Sequence, residues 1–96
     1  MAVLIDEPIW PNHGTVWGHL VSDSSLEELH AFAASAGMPA RSFDNDHYDY
    51  PEERRAQLIE LGAHPVSARE LLRRLQASGL RVKQRDKRPK RFPPVE

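Results

Sequence analysis

The chain has 96 residues, enough for one domain with one modest core. Its 40% apolar and 28% charged content is that of an ordinary globular protein, and the lack of cysteine excludes a disulfide framework and any thiolate metal site. The formal charge of −1 hides a split: residues 1–80 carry six arginines, no lysine and twelve acids, a balance of −6, whereas residues 81–96 carry seven Lys/Arg and two acids, a balance of +5.

Val3-Leu4-Ile5 is a short apolar run that predicts a buried strand. It is too short for a membrane span and has no basic segment before it, so a cytoplasmic protein without membrane contact is expected. Asp6 follows directly, where strand ends commonly present site residues; starting a turn is its bland alternative. Ile9 to Thr15, with Pro11, Asn12 and Gly14, predicts a loop. Val16 to Val21 predicts a second strand on which His19 shares a face with Trp17.

The clearest helix begins after Asp23-Ser24-Ser25, where Ser24 to Glu27 or Ser25 to Glu28 has capping-box spacing. Leu26, Leu29, Phe32, Ala33 and Ala36 form its apolar stripe, His30 borders the stripe, and Gly37 ends it. Met38 to Phe43 is a connector, with Phe43 as its anchor to the core. Asp44 to Tyr50 reads as an acidic, irregular loop. If His47 to Asp49 is extended, those two side chains point the same way.

Pro51-Glu52-Glu53-Arg54-Arg55 predicts a helix start, with acids suited to the macrodipole, Leu58, Ile59 and Leu61 inside and Gly62 at its end. Asp49 could serve merely as its N-cap. Ala63 to Val66 predicts a short strand. Ser67 to Glu70 is a full capping box opening a helix through Ala77, with Leu71, Leu72 and Leu75 inside and Gly79 after it. Leu80 and Val82 suggest a last edge strand. The expected fold is therefore a small single α/β domain over residues 1–82, a mixed sheet of three to four short strands packed with three main helices. Residues 83–96 read as a basic, Pro-rich, flexible tail.

The polar segment Asp46-His47-Tyr48-Asp49-Tyr50-Pro51 stands between two apolar-periodic stretches, a place where function is often carried. Imidazole with carboxylate suits a divalent metal or a general acid/base pair, and His19, His30, His47, Asp6 and Asp49 are the candidates. Their spacing forms no zinc-protease or calcium-loop motif, so a site must be assembled from distant segments. Arg54 and Arg55 near a helix start could hold an anion, or simply pair with neighbouring acids. Lys83, Arg85, Lys87, Arg88, Lys90 and Arg91 have the footprint of a sequence-unspecific phosphate-backbone binder, with a solubilising end or linker as the alternative.

Trp17-Gly18-His19-Leu20-Val21-Ser22-Asp23, Glu27 to Ala33, Asp46-His47-Tyr48-Asp49, Arg54-Arg55-Ala56, Gly62-Ala63 and Val66 to Leu71 together resemble the small bacterial and phage family called Domain of Unknown Function 4031. The resemblance spans roughly residues 2–78. Relatives often carry Lys-Arg where this chain has Arg54-Arg55, and a second Asp where Glu7 stands. The family implies no established chemistry. Longer relatives that continue into an HD-type phosphohydrolase-like region imply such a partner, and phosphate-containing or nucleic-acid ligands, by analogy. Two functions are thus expected as rivals: a metal- or His/Asp-dependent hydrolase-like site for a phosphate-containing substrate or nucleic acid, and a non-catalytic protein- or nucleic-acid-binding module with a basic tail.

Overall fold

The computed structural model describes residues 2–83. Six strands and three helices follow in the order β1 (Val3–Ile5), β2 (Trp10–Asn12), β3 (Thr15–Ser22), α1 (Leu26–Ser35), β4 (Phe43–Asp44), β5 (His47–Pro51), α2 (Arg55–Glu60), β6 (His64–Pro65) and α3 (Ala68–Ser78). The α/β class and the three helices match expectation. The sheet has six strands, more than the three to four expected.

The extra strands come from two segments read as loops. His13 and Gly14 both take positive φ, 48° and 80°, and close a two-residue hairpin between β2 and β3. Asn45, at φ 64°, with Asp46 closes a second hairpin that pairs Asp44 with His47. Asn12 and Gly14 mark the first turn in the sequence, whereas the second lies inside a segment read as an irregular loop; the short strands are marked at neither place, because each is stabilised by its partner and not by its own composition. The expected edge strand at Leu80 and Val82 does not form. Instead, the Val82 N–H donates to Asp46 Oδ2 at 2.8 Å.

Strand β3 is the hub. Its first half pairs with β2 and β5 and its second half with β1, all antiparallel, and β1 pairs with β6 in parallel. Side chains alternate across it. Leu20 joins Val3, Ile5, Tyr48 and Tyr50 beneath Leu29 and Ala33 of α1 and Leu58 of α2. Val21 joins Leu4 on the opposite face, under Leu71 and Leu75 of α3. Helices therefore cover both faces, which is why β1 is apolar throughout.

Helix starts follow the expected caps. Ser25 Oγ accepts from the Glu28 N–H and Ser67 Oγ from the Glu70 N–H, both at 3.0 Å. The acid halves of both boxes go elsewhere, Glu28 to the Ser22 and Ser24 hydroxyls and Glu70 to Arg73. Asp49 is not a helix cap; it lies within β5, and a 3₁₀ turn over Glu52–Arg54 leads into α2. Leu61 and Leu72, expected inside, are 47% and 38% exposed. Among the described residues no helix is long and apolar enough to cross a membrane.

Candidate functional site

Asp6 is where β1 leaves the ladder. Its N–H still donates to the His19 carbonyl at 3.2 Å. Its own carbonyl is turned away and accepts from the Tyr50 hydroxyl at 2.5 Å and from Arg55 Nε at 3.4 Å. The Asp6 carboxylate fills the vacated ladder position. Oδ1 accepts from the His19 N–H at 2.6 Å, and Oδ2 takes His19 Nδ1 at 2.8 Å. One buried carboxylate thus holds both the backbone and the ring of His19, leaving Nε2 as the nitrogen for any ligand.

His47 has a parallel arrangement from a different element. The tight β4–β5 turn buries Asp46 completely, and its Oδ1 lies 2.8 Å from His47 Nδ1. Asp46 Oδ2 accepts from Val82 and has Arg81 at 3.6 Å, so no buried oxygen is stranded. Desolvation works against ionised Asp46, but the His47 bond, the Val82 N–H and the nearby positive charges outweigh it and lower its pKa. On the other side of the ring, His47 Nε2 lies 3.1 Å from Asp49 Oδ1. Desolvation again opposes charge on the ring, yet the two flanking carboxylates prevail and raise the His47 pKa to about 9.

Strand parity brings these groups together. His47 and Asp49 project from the same side of β5, and Asp49 pairs in register with His19. The His19 and His47 rings meet edge to face with centroids 4.9 Å apart. One ligand atom from each of His19, His47 and Asp49 lies within 4.8 Å of the others. Ligands around a tetrahedral ion with bonds of 2.0–2.2 Å stand about 3.4 Å apart, so atoms as far as 4.8 Å apart would have to draw together to share one cation. Two histidines and a carboxylate, with both imidazoles braced by buried acids, are a donor set for zinc, iron(II) or a similar divalent ion.

The two histidines and Asp6 line a cleft of about 310 Å³ between the sheet and α3, which Asp49 does not line. Trp10, 56% exposed, stands on its rim with its ring 6.1 Å from that of His19. Leu71, Leu72 and Leu75 of α3 line the apolar wall, and Arg81 lines the polar end.

Of the expected site residues, Asp6, His19, His47 and Asp49 are brought together. His30 is not. Helix α1 covers the other face, where His30 Nδ1 contacts the Tyr48 hydroxyl at 2.7 Å and its ring packs on Phe43. Neither Arg54 nor Arg55 lines the cleft. Arg54 binds Gln57 Oε1 at 2.7 Å and the Ala36 carbonyl, while Arg55 reaches the Asp6 carbonyl. Of the basic-tail candidates, Lys83 is described and exposed; Arg85, Lys87, Arg88, Lys90 and Arg91 lie outside the described residues.

Asp46, Trp10 and Arg81 were not among the expected site residues. Asp46 had a signal, an Asn-Asp turn beside a histidine. Trp10 had none, since its place depends on the β2–β3 hairpin; Arg81 opens the basic stretch that reads as a phosphate-backbone binder, but its place beside Asp46 depends on the course of the chain after α3. A family model described as "Protein of unknown function (DUF4031)" matches residues 3–78. No curated protein and no solved structure matches the chain.

Proposed function

The chain belongs to the DUF4031 family, and we propose that it is a metal-dependent, hydrolase-like protein acting on a phosphate-containing substrate. His19, His47 and Asp49 would hold one divalent cation, His47 giving up the Nε2 proton it shares with Asp49 so that metal and proton compete for it; Asp6 and Asp46 are positioning residues that hold the two imidazoles. The observation that carries this reading is the repeated bracing. Two histidines from different strands each have Nδ1 tied to a carboxylate that is itself buried, and the two rings touch. Buried carboxylates are costly, and spending two on the orientation of adjacent imidazoles suits coordination chemistry.

The chemistry in this reading is hydrolysis of a phosphate ester. A divalent cation held by His19, His47 and Asp49 would supply an activated water; hydrolysis replaces the ester P–O bond with a P–O bond to that water's oxygen, and the leaving oxygen takes up the proton the water gives up. Arg81 at the polar end of the cleft suits an anionic group.

The test is titration of the untagged, metal-stripped protein with Zn²⁺, Mn²⁺ and Co²⁺, by calorimetry and elemental analysis. Asp49→Asn is the preferred variant because Asp49 is partly exposed. His47→Ala is a poor test, since it strands the buried Asp46 carboxylate and confounds binding with folding. One equivalent of metal in the parent, bound at least tenfold more weakly by folded Asp49→Asn, supports the site. Absence of stoichiometric binding by all three ions overturns it and leaves the binding-module reading.

A further inference from the structure

Among the described residues, four large apolar side chains are substantially exposed: Ile9, Trp10, Leu61 and Leu72. Two of them, Trp10 and Leu72, line the same cleft from opposite elements, the β2–β3 hairpin and α3. Exposed tryptophan is costly to leave in water, and here it sits on the rim of a polar cluster with its ring at 70° to that of His19. The opposite wall is aliphatic, and the polar end holds Arg81.

We infer that this cleft binds a free nucleotide, its base held against Trp10 and the Leu72 wall and its phosphate held toward Arg81 and the His19–His47 cluster. A planar heteroaromatic ring suits such a slot, because every nucleobase has a face that stacks on indole. The guanidinium of Arg81 is only loosely engaged by Asp46, at 3.6 Å, and can bond a phosphate while keeping that neighbour. A volume of about 310 Å³ is at the small end of ligand pockets and suits one nucleotide, not a strand. Charge points the same way: residues 1–80 are strongly acidic, which disfavours a polyanion laid across the body and tolerates a single phosphate at one arginine.

This inference deepens the proposed function by naming the substrate class, and it rests on the metal reading only for where the phosphate points. Its test is therefore run first without metal. Adenosine 5′-monophosphate, ribose 5-phosphate, adenosine and a short single-stranded oligonucleotide are titrated calorimetrically into the full chain in EDTA, and again with Mn²⁺. The expected result is binding of the nucleotide in EDTA, at least tenfold tighter than ribose 5-phosphate. Trp10→Leu weakens the nucleotide about tenfold, on the scale of one base–aromatic stack, and leaves metal titration unchanged. Arg81→Gln weakens the nucleotide but not adenosine, and Arg81→Lys restores part of the loss. Equal affinity for nucleotide and ribose 5-phosphate overturns the inference, as does indifference to Trp10→Leu. Preference for the oligonucleotide, independent of Trp10, overturns it in favour of a nucleic-acid surface. Failure of Asp49→Asn to alter metal binding, with nucleotide binding intact, removes the metal reading and leaves this one standing.

Discussion

Gly18 is the position whose substitution reports most directly on how the site is built. It pairs in register with Tyr50, and a Cβ placed on it would lie 2.6 Å from Tyr50 Cε1 and 2.7 Å from Cζ and Oη. Ordinary contact begins near 3.4 Å, so the ring must retreat by about 0.8 Å. Tyr50 is fully buried and its hydroxyl donates to the Asp6 carbonyl, the group displaced when Asp6 turns its carboxylate to His19. Overpacking of this kind costs about 1–3 kcal/mol. Weakening a buried hydrogen bond adds roughly 1–3 kcal/mol, and the lost flexibility of glycine in the unfolded chain returns about 0.4–1 kcal/mol. The expected net destabilisation of Gly18→Ala is about 1–6 kcal/mol, a substantial part of a total stability of roughly 5–15 kcal/mol. Urea unfolding followed by circular dichroism measures it, with an unchanged m-value as the check that unfolding stays two-state and exposes the same surface. Tyr50→Leu removes the clashing atoms, so Gly18→Ala made in that background should cost much less than in the parent. A parent-background effect within about 0.5 kcal/mol, the range of an ordinary surface change, refutes the packing argument.

Stability of the metal-free protein should depend on pH through His47. The ring's pKa is 6.5 when unperturbed and about 9 in the fold, so the folded state binds the proton more tightly. That contribution is fully present below pH 6.5 and is lost as pH rises through about 9, at most about 3 kcal/mol for a shift of this size. Urea midpoints in EDTA from pH 6 to 10 should fall accordingly, and a flat profile contradicts the two-carboxylate environment. Asp46 acts in the opposite sense: its pKa is lowered below 3.8, so its contribution is present above pH 3.8 and lost as pH falls through the folded value. Ser67→Ala removes the cap of α3, whose Leu71 and Leu75 cover Leu4 and Val21. About 1 kcal/mol of destabilisation is expected by thermal or urea unfolding, and no change argues that the Glu70 N–H finds another partner.

Local chemistry was well read from the sequence. Ser25, Ser67 and Gly79 mark helix ends through bonds that span three residues or one backbone angle, so no distant contact is needed to see them. Alternation placed His19 correctly with Trp17 and Val21, and the conditional pairing of His47 with Asp49 on one side holds because β5 is extended. Asn12 and Gly14 mark the first turn as plainly, whereas Asn45-Asp46 sits inside a segment that reads only as an irregular loop. What a single stretch does not reveal is whether the short polar segments around a turn will pair, since each two- to five-residue strand gains its hydrogen bonds only from a neighbour.

The candidate site divides along the same line. The sequence by itself determined the α/β class, the three helices, the family resemblance and the residue types for coordination chemistry. Only the tertiary structure decided which of them meet. Two carboxylates, Asp6 and Asp46, became braces because strand departure and a tight turn buried them beside imidazoles. His30 has the same chemistry as His19 and His47, yet α1 lies on the opposite face of the sheet and gives it to Tyr48. The physical reason is parity: along a strand, successive side chains face opposite sides, and which side receives which helix is settled by pairing between residues far apart in the chain.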